Sequence, residues 1–391
     1  MIKLNDDYKI IADKIKELEE HFINCKTPAD CANYVRTYQV LIMIYASHCY
    51  TFPHNKKCKK NVYLRNTNAI ASHIIDKKRM NDLISNKGLH SDLIANFYLD
   101  CFTLFKDYVN NNWDRYYKNA KISAKEQEEI LDDFLLTDGK DLQEVYLKHR
   151  KENKLFLMSE EFCDLLNGTT GVTVWTPDDG TNFMLLAEQD NKIGELVTAI
   201  HELGHVYDFT TYANSHTLRD TAAYSNNSPY CEVASIYHQY KFYEYLLKNN
   251  IYPNDTMKNF LSSVNSNLTY LGEIFPLKLI SDEYLRKKKL IIEKQEINRV
   301  LNDLNEKEEL IDYNIVKDTF DAYDSIRYGY GFMLTMTMLE NPDLYDNFQR
   351  IREPLFDKEK LDNAGFTDKV INKSMVKRMN RYFGETNDKI K

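Results

Sequence analysis

Apolar positions recur every three to four residues through most of this chain. Over 6–24 they are Ile10, Ile11, Ile15, Leu18 and Phe22, a spacing that predicts a helix with one buried face. The same periodicity predicts helices over 62–86, 91–118, 123–136 and 141–154. Ser123-Ala124-Lys125-Glu126 reads as a capping box at one of these starts, and Thr27-Pro28 as the N-cap and first residue of another helix. Before Gly168 the punctuating residues Gly88, Gly139, Pro28 and Pro53 all fall at such boundaries. The pattern changes over 167–188. There Gly171–Trp175 and 182–186 are β-prone runs separated by Thr176-Pro177-Asp178-Asp179-Gly180-Thr181, which predicts a hairpin. Helical spacing returns from Ile193. A polar stretch over 213–228 then reads as a loop, and Pro229 as the opening of a helix that runs to Lys248. Further helices are expected over 257–271, 274–304 and 308–323. They are followed by a Tyr-, Gly- and Met-rich segment over 324–340 and by short helices with basic exposed faces over 342–383. The expected architecture is mainly α with a small hairpin, divided into an N-terminal helical half, 1–166, and a second half, 167–391.

Composition narrows the classes of partner. With 391 residues and 43% apolar content the chain can bury a substantial core. Its formal net charge of -8 argues against a binder driven by phosphate contacts. The basic runs Lys56-Lys57-Cys58-Lys59-Lys60 and Arg286-Lys287-Lys288-Lys289 lie amid acidic residues and read as solvated faces. The seven cysteines are odd in number and form no C-x-x-C pair, which suits reduced thiols in a cytoplasm. The N-terminus lacks a signal-peptide apolar core, and the longest apolar run, 40–46, is too short to span a bilayer. These features set the expectation of a soluble cytoplasmic protein without nucleic-acid or membrane partners. They carry no signature of oligomeric state.

The candidate chemistry lies in Thr198-Ala199-Ile200-His201-Glu202-Leu203-Gly204-His205-Val206-Tyr207-Asp208, directly after the hairpin. Residues four apart share a helix face, so His201 and His205 can present two imidazoles to one tetrahedral metal, for which zinc is the natural occupant. Glu202 points about a hundred degrees round the helix, placing it to act on a water rather than as a ligand. Ile193, Leu196, Val197, Ile200 and Leu203 make the helix mostly apolar, and two histidines and a carboxylate buried there are costly unless something binds them. A catalytic zinc keeps three protein ligands. His216 is the nearest downstream histidine but lies in the polar stretch, outside the metzincin spacing. Glu232, opening Glu232-Val233-Ala234-Ser235 at the start of the next helix, is better placed.

His-Glu-Leu-Gly-His followed by Glu-Val-Ala-Ser resembles the thimet oligopeptidase and oligoendopeptidase F family of zinc metallopeptidases over roughly 171–339. The resemblance implies a helical, zincin-like fold with a small β-element beside the active-site helix and a substrate channel. It implies His201, His205 and Glu232 as zinc ligands, Glu202 as general base and an oligopeptide as substrate. Ala322-Tyr323-Asp324-Ser325-Ile326-Arg327-Tyr328-Gly329-Tyr330-Gly331 is similar to the family's downstream tyrosine cluster, which implies Tyr330 and Tyr323 as donors to the oxyanion. Arg327 is open to two readings, contact with substrate or pairing with a structural carboxylate. There are departures. Lys317-Asp318-Thr319-Phe320-Asp321-Ala322 replaces the family's His- and Gly-rich lead-in, and Gln239 stands where a second glutamate often supports the zinc histidines, a role Asp208 could fill. The N-terminal half is also shorter, which implies a more open channel. These departures support the alternative of a zinc-containing peptide-binding relative with weak or no turnover.

Overall fold

The computed structural model describes residues 9–24, 41, 91–118, 120–158, 170–176, 180–187, 193–287, 319–354 and 357–384. The expected helix over 62–86, the parts of the helices expected over 274–304 and 308–323 that fall within 288–318, and the Thr27-Pro28 start lie outside them. Among the described residues the protein is mainly helical with one three-stranded sheet. It divides into two compact units, residues 1–78 with 120–227 and residues 79–119 with 228–391.

In the first unit, α1 (Lys9–Asn24) buries Ile11, Ile15 and Leu18. In the second, α2 (Ser91–Asn112) ends in a short 3-10 turn at Trp113–Arg115, earlier than the apolar pattern suggests. Back in the first unit, α3 (Ala124–Leu136) starts where the capping signal lies, with the Glu126 N–H donating to Ser123 Oγ at 3.2 Å. α4 (Lys140–Lys151) stops at Asn153, whose φ of 54° is the left-handed conformation that asparagine tolerates, and the Lys154 N–H closes the end on the His149 carbonyl. The chain then enters β1 (Leu155–Met158), which pattern alone does not reveal, because four consecutive apolar residues have no alternation to mark a strand. β2 (Gly171–Trp175) and β3 (Asn182–Ala187) form the expected antiparallel hairpin, with Thr173 opposite Met184. Gly180, at φ 69°, lets the turn close. β1 joins β3 in parallel, giving the order β1-β3-β2. β3 is therefore central and buried along its length, and β2 is an edge.

The sheet packs on α5 (Ile193–Ala213) through both β2 and β3. The polar stretch that reads as a loop is α6 (Leu218–Asn227) for ten of its residues. Its polar residues are partly internal: Thr221 and Ser225 are buried and bonded to backbone carbonyls. Propensity alone undervalues such residues because they satisfy themselves locally.

In the second unit, α7 (Val233–Lys248), α8 (Pro253–Lys287) and α9 (Thr319–Glu340) pack on one another, α9 against both of the others. α7 begins four residues later than Pro229 suggests. α8 runs without a break where the sequence suggests two helices. Gly272 sits in it because a Cβ there would come within 2.5 Å of the Tyr98 hydroxyl, so the glycine serves close packing and does not end the helix. The Tyr-Gly-Met-rich segment is helical as well. α10 (Leu344–Ile351), α11 (Lys358–Asn363) and α12 (Asp368–Phe383) complete the unit. α12 packs on α2 and α9, with the Phe383 ring meeting Phe105, Tyr108 and Phe260. Its buried Arg378 donates to the Leu339 carbonyl and pairs with Glu244.

Candidate metal centre

α5 carries His201, Glu202 and His205 in its middle turns, where Ile200, Leu203 and Val206 are fully buried. The two imidazoles lie one turn apart with ring centroids at 4.9 Å and planes at 81°. The Phe209 ring stacks on His205 at 5.5 Å, and Tyr224 meets Phe209 edge-on at 6.3 Å. Three residues after His205, the buried Asp208 carboxylate accepts a hydrogen bond of 2.8 Å from the Tyr224 hydroxyl. Tyr224 belongs to α6, so the stretch that reads as a loop is a helix buttressing the histidine helix.

Glu202 is 5% exposed and rests on the face of β2. Thr173 Oγ1 donates to its Oε2 at 2.7 Å and lies 3.1 Å from its backbone carbonyl. Sequence reasoning passed over Thr173. The signal available was strand alternation, which puts Gly171 and Thr173 on one face.

Glu232 is the N-cap residue of α7, 3% exposed, and its side chain does not cap the helix. The turn before it is pinned in place. Ser228 Oγ accepts from the Tyr230 N–H at 3.1 Å and donates to the Glu353 carbonyl at 2.6 Å, and the Tyr230 hydroxyl accepts from the Asp357 N–H at 3.2 Å. These anchors explain why the helix starts after Pro229 and not at it. Arg327, 2% exposed on α9, brings Nη1 to 3.8 Å from Glu232 Oε1 and donates to Cys231 Sγ at 3.5 Å. Of its two readings from sequence, the carboxylate pairing is the one seen, and the partner is the candidate ligand itself. Ser235 Oγ donates to the Glu232 carbonyl at 2.8 Å and lies 3.4 Å from Oε2.

The two glycines beside Tyr330 let α9 approach both its neighbours. A Cβ on Gly331 would stand 2.6 Å from Ile236 Cδ1 and 3.2 Å from Glu232 Cβ; one on Gly329 would stand 3.2 Å from the Leu271 Cα. Tyr330 is 1% exposed, and Tyr328 stacks on Tyr270 at 5.1 Å. Tyr323 lies in the first turns of α9, and its side chain is outside the described residues. Tyr230, which sequence reasoning did not single out, is also buried. Burial pushes its phenol well above the ordinary tyrosine range, and Tyr330 adds to the rise.

Among the described residues, the donor atoms of His201, His205 and Glu232 form a group in which all lie within 4.8 Å of one another. Two imidazole nitrogens and a carboxylate oxygen suit a divalent transition metal, whose tetrahedral ligands at about 2.0–2.2 Å stand roughly 3.4 Å apart. His216 is exposed, its ring stacked on Tyr212 at 3.8 Å, and is not part of that group. Gln239 donates to Ser263 Oγ at 3.1 Å.

No family profile matches the chain, and no curated protein sequence matches it. Solved structures do. A provisionally assigned oligoendopeptidase F from Bacillus anthracis str. Ames superposes with a TM-score of 0.52 at 10% identity, covering 93% of this chain and 68% of that one. A provisionally assigned peptidase from Chlamydophila abortus gives a TM-score of 0.48 at 14% identity, over 91% of this chain and 63% of that one. The first likeness shows a peptidase-like fold, helical with a small sheet. Among the described residues no helix is long and apolar enough to cross a membrane.

Proposed function

We propose that the chain is a zinc metalloendopeptidase that cleaves short oligopeptides internally. The observation that carries this reading is the His201, His205 and Glu232 donor group, with the oriented carboxylate of Glu202 next to the first ligand in sequence. The donor set fits zinc by ligand type and number, with a fourth position left for water or substrate. Zinc, when bound, supplies Lewis-acid polarisation of a scissile carbonyl and a lowered pKa for water. Glu202 accepts the proton from the attacking water and delivers it to the leaving amine, so that nitrogen departs as a neutral amine. Tyr330, with Tyr323, donates a hydroxyl to the oxygen that gains negative charge. Asp208, bonded to Tyr224, stiffens the turn after His205, where outer-shell support for the histidines is expected. The likeness to a peptidase fold supports the assignment at the level of architecture.

Incubation with a mixed peptide library, with and without a chelator, read by mass spectrometry, tests the reading. Internal cleavage that chelation abolishes and added zinc restores is expected. Cleavage unaffected by chelation sinks the zinc mechanism. Tight peptide binding with zinc present but no cleavage favours the peptide-binding relative, which the departure at Gln239 supports.

A further inference from the structure

We propose that Thr173 is the positioning residue of Glu202, holding its carboxylate from the edge strand β2 so that one oxygen is left to take the proton from water. The role in turnover rests on the peptidase reading; the contact itself does not. A glutamate side chain has three rotors, and holding it in one direction is worth a large share of rate, since a misplacement of about 1 Å costs on the order of 10²-fold.

Two features of β2 supply that restraint. Thr173 has one hydroxyl proton, and of the two oxygens it meets, the carboxylate Oε2 at 2.7 Å is nearer than the carbonyl at 3.1 Å. A hydroxyl donating to a carboxylate at this length is a charge-assisted bond, roughly twice as strong as a neutral one. The threonine is itself stiff, being β-branched and paired through its backbone with Met184 of the central strand. Two residues earlier, on the same face, Gly171 leaves room for the other oxygen. A Cβ there would come within 2.8 Å of Glu202 Oε1 and Cγ and 2.5 Å of Thr198 Cγ2. One strand thus binds Oε2 through Thr173 and accommodates Oε1 beside Gly171. Oε2 is occupied as an acceptor, and Oε1 is the oxygen left for the proton.

The test uses Thr173→Val, which removes the hydroxyl and keeps the shape, and Thr173→Ser, which keeps the hydroxyl. In metal-free full-length protein, Thr173→Val should lower the melting temperature measurably, and its effect should shrink to less than half in a Glu202→Met background. Equal shifts in the two backgrounds show that the bond to the carboxylate is not made and overturn the proposal. In the zinc-loaded protein, Thr173→Val should keep one equivalent of zinc and a KM within about threefold of the parent, while kcat falls about 10–100-fold, and Thr173→Ser should recover most of the loss. An unchanged kcat in Thr173→Val overturns the positioning role. If the parent protein cleaves no peptide, the zinc-peptidase reading has failed by itself, and the melting comparison still decides whether Thr173 holds Glu202.

Discussion

Two buried carboxylates, Glu202 and Glu232, are held in opposite ways. Glu202 rests against a strand, oriented by the neutral hydroxyl of Thr173 and the space left by Gly171. Glu232 rests against helices, facing the buried guanidinium of Arg327, with Gly331 giving α9 its close approach. A neutral donor orients a carboxylate without cancelling its charge, whereas an arginine compensates it. The difference suits the proposed roles. A base must remain ready to accept a proton, and a ligand must stay anionic in a dry place before any metal arrives.

Glu202→Gln should break the comparison most severely. The amide keeps the shape and can still accept from Thr173, but cannot take a proton from water, so hydrolysis should fall by up to about 10⁴-fold with zinc retained. Zinc content and kcat measured on one preparation decide it; an active variant rules out Glu202 as the base.

Removal of a ligand separates the two regions next. His205→Ala and Glu232→Ala should both abolish stoichiometric zinc, as read by elemental analysis. Only Glu232→Ala also takes the carboxylate away from buried Arg327, and breaking such a pair costs about 3–5 kcal/mol. The metal-free Glu232→Ala protein should therefore melt well below metal-free His205→Ala. Similar melting temperatures would mean that Arg327 does not depend on Glu232.

Tyr330→Phe removes the proposed oxyanion donor and keeps both carboxylate residues. Its kcat should drop about 10²–10³-fold with little change in KM, as for other single oxyanion donors. A near-normal kcat returns Tyr330, 1% exposed, to a packing role and moves attention to Tyr323.

The smallest expected effect distinguishes neighbouring glycines. Gly331→Ala and Gly329→Ala should each cost about 1–3 kcal/mol through overpacking. Gly331 alone lies against Glu232, so only Gly331→Ala should also weaken zinc binding, measured by competition with a chelator. Equal zinc affinity in the two variants would show that α9 does not shape the ligand.

Much of this was legible in the residues themselves. His201 and His205 share a helix face because of local periodicity, the hairpin follows from two β-prone runs around a turn, and the cap at Ser123 bonds as such a residue does. The misses share a cause. Leu155–Met158 became a strand only because β3 was there to pair with it, and the stretch around Tyr224 became a helix whose tyrosine reaches Asp208. Gly272, which falls between the helices expected over 257–271 and 274–304, is a place inside one continuous helix where Tyr98 comes close.

The sequence by itself determined that His201 and His205 share one helix face, because residues four apart meet through backbone geometry that neighbours alone dictate. Tertiary structure decided what holds the carboxylates. Thr173 reaches Glu202 from a strand packed on its helix, and Arg327 reaches Glu232 from a helix distant in sequence. Contacts between residues so far apart along the chain depend on which faces the packed core brings together, and no local pattern of polar and apolar positions encodes that.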